Sequence, residues 1–121
     1  MPKILLVDDS STIRQELKND LEEQQFYILE ASDGEQGLAL AMSEKIDLII
    51  TDLNMPNMDG ITMCKHIRKH DIEVPIFMMT TQTDMDLKVE AKNYGVKAWI
   101  VKPYNKIGLI SGIKNLLKTE A

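Results

Sequence analysis

The sequence predicts an α/β protein built on a doubly wound parallel sheet of five strands in the order 2-1-3-4-5. Three observations lead there. Short apolar runs alternate with amphipathic segments, and such alternation requires right-handed crossovers and a sheet covered on both faces. The runs are continuous, as in Leu48-Ile49-Ile50, whereas a strand with one wet face would alternate apolar and polar residues. Four of them end in polar groups of different kinds, and the carboxyl ends of strands are where ligands sit in sheets of this class. The strand order is that of a common doubly wound class, and it sets strands 1 and 3 side by side at the switch point.

The elements follow in order. Lys3 to Val7 reads as a buried strand that runs into Asp8-Asp9-Ser10-Ser11. Ser10 or Ser11 can cap the next helix, where Ile13, Leu17 and Leu21 repeat every four residues. Tyr27 to Ala31 is the second strand, and Ser32-Asp33-Gly34 turns the chain into a helix through Leu38, Ala41 and Met42. The third strand delivers Asp52 to its carboxyl end. Met55-Pro56 then starts a turn that Asp59-Gly60 closes. A helix from Gly60 to about Lys69 carries Ile61, Cys64 and Ile67 inward, with Cys64 read as a half-buried packing residue. His66 and His70 lie among Lys65, Arg68 and Lys69 and read as solvated, since no acid or Cys shares their spacing. Pro75 opens the fourth strand, Ile76 to Met79, which ends in Thr80-Thr81-Gln82. Asp84 to Tyr94 is helical with Leu87 and Ala91 inward, and Gly95 stands where a left-handed cap is wanted. The fifth strand, Ala98 to Val101, ends in Lys102-Pro103. The last helix starts near Lys106 and places Ile110, Ile113 and Leu117 on one face. Gly108 and Gly112 inside it each cost about 1 kcal/mol relative to Ala, and a closely approached surface, a soft helix or simple tolerance would account for their presence.

At 121 residues the chain reads as one domain, residues 1–121, with no output domain. No apolar run approaches the roughly 20 residues that span a bilayer, and the start of the chain is too short for a signal peptide. The single cysteine fits a reducing cytoplasm. A net charge of −5 argues against a nucleic-acid binder. Residues 1–83 hold 7 Lys/Arg against 15 Asp/Glu, and residues 84–121 hold 7 Lys against 4 Asp/Glu, so the last third reads as a basic surface on an acidic protein.

Strands 1, 3, 4 and 5 therefore bring Asp8-Asp9, Asp52, Thr80 and Lys102 to one crevice. Three close carboxylates repel, at roughly 4 kcal/mol per pair at 4 Å for an effective dielectric near 20. They either take up protons or bind a hard divalent cation, for which Mg²⁺ is the natural choice with oxygen ligands only. Mg²⁺ held by so few ligands usually meets a phosphate. Lys102 suits a phosphoryl oxygen, Thr80 can donate to another, and Asp52 can be the nucleophile of an aspartyl phosphate.

The runs Val7-Asp8-Asp9-Ser10, Asp52-Leu53-Asn54-Met55-Pro56-Asn57-Met58-Asp59-Gly60, Thr80-Thr81 and Lys102-Pro103, in this order and spacing, resemble the receiver domain of bacterial two-component response regulators. The resemblance covers the whole chain and is strongest to the stand-alone chemotaxis regulators, which share the flavodoxin-like (βα)5 fold. It implies that Asp52 accepts phosphate from a histidine kinase, and that Asp8, Asp9, Asp52 and the main-chain carbonyl of Asn54 bind Mg²⁺. It further implies a switch pair of Thr80 and Trp99, and a Lys102 that precedes a cis Pro103. Trp99 departs from the usual Tyr or Phe of that position. Output would run through a protein partner on the face of helix 4, strand 5 and helix 5, such as a flagellar motor switch, with a phosphatase as a further partner and neither nucleic acid nor membrane involved. A phosphorelay intermediate or phosphate sink is the alternative. A flavin carrier is disfavoured by Asp8-Asp9, which would repel a phosphate in the first loop. An Asp-nucleophile phosphatase is disfavoured by Asn54, which stands where a general acid is needed.

Overall fold

The computed structural model describes residues 1–118; the one-domain reading continues to Ala121, and 119–121 lie outside the described residues. The elements are β1 (Lys3–Val7), α1 (Ser11–Glu22), β2 (Tyr27–Ala31), α2 (Gly34–Ser43), β3 (Leu48–Thr51), α3 (Gly60–Lys69), β4 (Ile76–Thr80), α4 (Met85–Asn93), β5 (Val96–Val101) and α5 (Lys106–Lys118). The strands form one sheet in the order β2-β1-β3-β4-β5, parallel throughout.

Period-two alternation splits each central strand between two apolar layers. Leu5 and Val7 of β1 face the layer closed by α2, α3 and α4, while Ile4 and Leu6 face the layer closed by α1 and α5. Every residue of β3 and β4 is buried, which is why their runs show no alternation. Each buried Leu, Ile or Met contributes about 1.5–3 kcal/mol by leaving water. The first four helices start on side-chain caps: Ser10, Asp33, Asp59 and Asp84 accept main-chain N–H groups of their first turns.

The boundaries differ from expectation in a few places. β5 begins at Val96 rather than Ala98, because a register shift pairs Ile76 with Val96 and Phe77 with Ala98, and the extra residue hides the strand's start. β4 extends through Thr80. In α5 the fully covered positions are Leu109 and Ile113, with Ile110 and Leu117 only partly buried. Cys64 is not half-buried but sealed in the core, where burial pushes its thiol up to about 12. Gly95 does adopt the left-handed conformation, with φ +84°.

Candidate functional site

The strand ends are held level by the ladders themselves. The Asp52 main-chain N–H donates to Val7 O (2.8 Å), that of Asp8 to Ala31 O (3.1 Å) and that of Lys102 to Thr80 O (2.8 Å). Side chains beyond these bonds converge on one crevice. The ammonium of Lys102 lies 2.9 Å from Asp8 Oδ2 and 3.0 Å from Asp52 Oδ2. The other oxygen of each carboxylate is also satisfied: Asp8 Oδ1 accepts from the Ser10 N–H (2.9 Å) and Asp52 Oδ1 from the Leu53 N–H (2.7 Å). Asp9, by contrast, is exposed. The Lys102–Pro103 peptide is cis.

This arrangement revises the picture of three bare, repelling carboxylates. Lys102 stands between two of them as an internal counter-ion, rather than waiting for a phosphoryl oxygen. Burial is the largest influence on Asp52 and raises its pKa; the Lys102 hydrogen bond opposes this, and the negative charge of Asp8 adds to it. For Lys102 burial works against the charged form, yet the hydrogen bonds and charges of Asp8 and Asp52 outweigh it and hold the ammonium above its ordinary range.

One carboxylate oxygen from each of Asp8, Asp9 and Asp52 can be chosen so that all three lie within 4.8 Å of one another. Two buried carboxylates and one open to solvent form an all-oxygen donor set, which suits a hard cation that keeps part of its water shell. Mg²⁺ fits these residues; Asn54 follows Asp52 by two residues in the adjoining loop.

At the end of β4 Thr80 is fully buried, and its hydroxyl oxygen accepts the Gln82 N–H (3.1 Å). The indole N–H of Trp99 donates to the Gln82 carbonyl (2.9 Å). The main chain of one residue, Gln82, thus joins the two side chains through its N–H and its carbonyl. Sequence reasoning sets Gln82 beside the site at the end of the fourth strand but does not find this link, since it runs through the main chain, which any residue except proline could supply. The indole replaces a phenol's O–H with its own N–H as the donor.

The fold and crevice define a doubly wound α/β module whose switch point carries a buried carboxylate in an acidic cluster and a lysine, with a threonine at the end of the neighbouring β4. The family model of the response regulator receiver domain matches residues 4–114, and the chain belongs to that family. Phosphorylation and Mg²⁺ binding are general features of this family of two-component signalling modules. Chemotaxis protein CheY4 of Vibrio cholerae is 38% identical with a TM-score of 0.90, over 97% of this chain and 99% of that one. The Francisella response regulator 1452 receiver domain is 30% identical with a TM-score of 0.93, over the whole of both chains. Among sequence relatives, the transcriptional regulatory protein PhoP of Bacillus subtilis is 35% identical over 116 residues, which are 96% of this chain and 48% of that protein. Protein RcaC of Microchaete diplosiphon is 36% identical over 96% of this chain but 18% of its own length. The chain thus spans half or less of these curated relatives.

Proposed function

We propose that Asp52 is the phosphoacceptor of this receiver, taking a phosphoryl group from the phosphohistidine of a histidine kinase in the cytoplasm. The observation behind this reading is the buried Asp52 carboxylate at the β1/β3 switch point, sharing the Lys102 ammonium with Asp8. An Asp52 oxygen attacks phosphorus, the P–N bond breaks, and its electron pair returns to the imidazole of the donor. Lys102 is already within hydrogen-bond distance of Asp52 and needs only a small shift to meet the incoming oxygens. Asp8, Asp9, Asp52 and the Asn54 carbonyl would hold Mg²⁺, which supplies charge neutralisation at the transferring group. Thr80 would turn its hydroxyl to a phosphoryl oxygen and so release Gln82, and through it Trp99. Incubation with acetyl phosphate and Mg²⁺ should add one base-labile phosphoryl group, seen by intact mass, and Asp52→Asn should remain unlabelled. Label on Ser10, Ser11 or His66 instead would overturn the assignment.

The output we propose is protein binding on the face made by α4, β5 and α5, in the manner of a chemotaxis regulator acting on a flagellar motor switch. The end-to-end likeness to CheY4 supports this. On this face Met85 and Val89 of α4, Val101 of β5 and Ile107 of α5 are exposed. Its basic component is narrower than the charge count suggested. Lys106 pairs with Glu23 (3.1 Å) and Asp20 (3.5 Å), and Lys114 donates to Gln24 (2.6 Å), so both reach towards α1. Lys92 and Lys97 stay exposed and, among the described residues, make no ion pair. Beryllofluoride with Mg²⁺ should strengthen capture of a motor-switch segment, and Lys92→Glu should weaken it. The relatives named as transcriptional regulatory proteins favour a second reading, in which this receiver controls transcription. Capture that ignores beryllofluoride would favour that reading.

A further inference from the structure

The loop between β3 and α3 is clamped by a side-chain pair outside the strand-end residues of the site. Asp33, the cap of α2, spends one carboxylate oxygen on the Gln36 N–H (2.8 Å). Its other oxygen accepts the side-chain amide of Asn57, 24 positions along the chain, also at 2.8 Å. Asn57 stands at φ +69°, in the left-handed region that Asn and Asp tolerate better than other side chains. A second observation places the same two segments in contact. A Cβ on Gly34, the first residue of α2, would lie 2.3 Å from Met58 O, so the helix start is pressed on the loop's backbone. The base of the loop is closed independently, where the Gly60 N–H donates to Leu53 O (2.7 Å).

Asn54 lies between that closed base and the clamped tip. Asp33 for its part follows Ala31 by two residues, and the Ala31 carbonyl accepts the N–H of Asp8. The Asp33–Asn57 bond therefore ties the strand end that presents Asp8 to the loop that presents Asn54. We propose that Asp33 and Asn57 are positioning residues for the cation: their bond holds the β3–α3 loop where the Asn54 carbonyl can share one Mg²⁺ with Asp8 and Asp52, and so sets Mg²⁺ affinity. This rests on the metal reading above.

The bond can be broken and rebuilt with little change of shape. Asp33→Asn keeps a good helix cap but turns an amide towards the amide of Asn57. Asn57→Asp, which keeps a residue type that tolerates positive φ, sets two carboxylates face to face. The double variant Asp33→Asn with Asn57→Asp restores the bond with donor and acceptor exchanged. Mg²⁺ dissociation constants are to be measured by calorimetry on the full chain, with melting temperatures taken without Mg²⁺. Each single variant should bind Mg²⁺ about 10-fold more weakly or worse, as is typical when a group that orients a metal ligand is lost. The double should return to within about threefold of the parent, a coupling that independent sites would not show. Asn57→Asp separates positioning from simple electrostatics, because an added negative charge by itself would tighten Mg²⁺ binding. Tighter binding in that variant, or a double variant no better than the singles, would overturn the proposal. Asp9→Ala serves as the control for the metal reading. If it leaves Mg²⁺ affinity unchanged, the metal reading fails. If it weakens binding while Asp33→Asn does not, only the clamp fails.

Discussion

Asp52 and Lys102 set the pH behaviour of the crevice. A carboxyl whose folded pKa is raised keeps its proton, in the folded chain, at pH values where the unfolded chain has lost it. Its contribution to stability is therefore complete below the ordinary value of 3.8 and declines as pH rises through the raised one. Asp52→Asn has no such titration, so its melting temperature should fall less between acid and neutral pH, and without Mg²⁺ it should exceed the parent's at neutral pH. Parallel melting profiles for the two proteins would contradict this. Lys102 acts at the other extreme: its raised pKa stabilises the fold below its ordinary value and that contribution fades as alkali strips the ammonium. Trp99 carries a second prediction. Its bond to the Gln82 carbonyl should be disturbed when Thr80 leaves the Gln82 N–H, so tryptophan emission should change on adding beryllofluoride with Mg²⁺. Thr80→Ala should blunt that response while leaving Mg²⁺ binding intact. Emission that ignores beryllofluoride in a protein still labelled at Asp52 would make Trp99 a fixed packing residue.

At the scale of elements, α5 answers the question its glycines raise. A Cβ at Gly112 would meet nothing within 4 Å, and the residue is not at positive φ. Gly112→Ala should therefore stabilise the protein by about 1 kcal/mol, read as a higher denaturant midpoint at unchanged slope; destabilisation would mean that something closes on this position. Gly108 differs, since its N–H donates to Asn105 Oδ1 (2.7 Å) and an added Cβ would sit 3.3 Å from that oxygen. The same helix shows where pattern reading stops. Strands buried on both faces, such as β1 and β3, declare themselves as unbroken apolar runs, and the polar residue that follows marks where each one ends. The start of β5 is hidden by an irregular register with β4, a property of the pair rather than of either segment. The inward face of α5 was missed at Leu109 because its apolar residues surround more than one stripe. Contacts between side chains far apart in sequence, Asp33 with Asn57 or Lys106 with Glu23, leave no local trace, whereas the strand-end acids were legible through topology.

For the molecule as a whole, a ligand held by strand ends and a loop is bound only by the folded chain. Mg²⁺ at ten times its dissociation constant should then add about 1.4 kcal/mol to global stability. The sealed position of Cys64 offers a way to see this without heat or denaturant. A thiol that is fully covered and reluctant to ionise cannot meet an aqueous disulfide or maleimide while the core is shut. Its modification must wait for an opening event, and with reclosing fast the observed rate follows the equilibrium population of the open form. Since Cys64 is the only cysteine, every modified molecule reports the same event. The chain thus contains its own clock for spontaneous opening, which should run about tenfold slower at that Mg²⁺ concentration and keep its original pace in Asp9→Ala. A clock indifferent to Mg²⁺ in the parent protein would mean that Cys64 becomes accessible by a local fluctuation that leaves the strand-end acids in place.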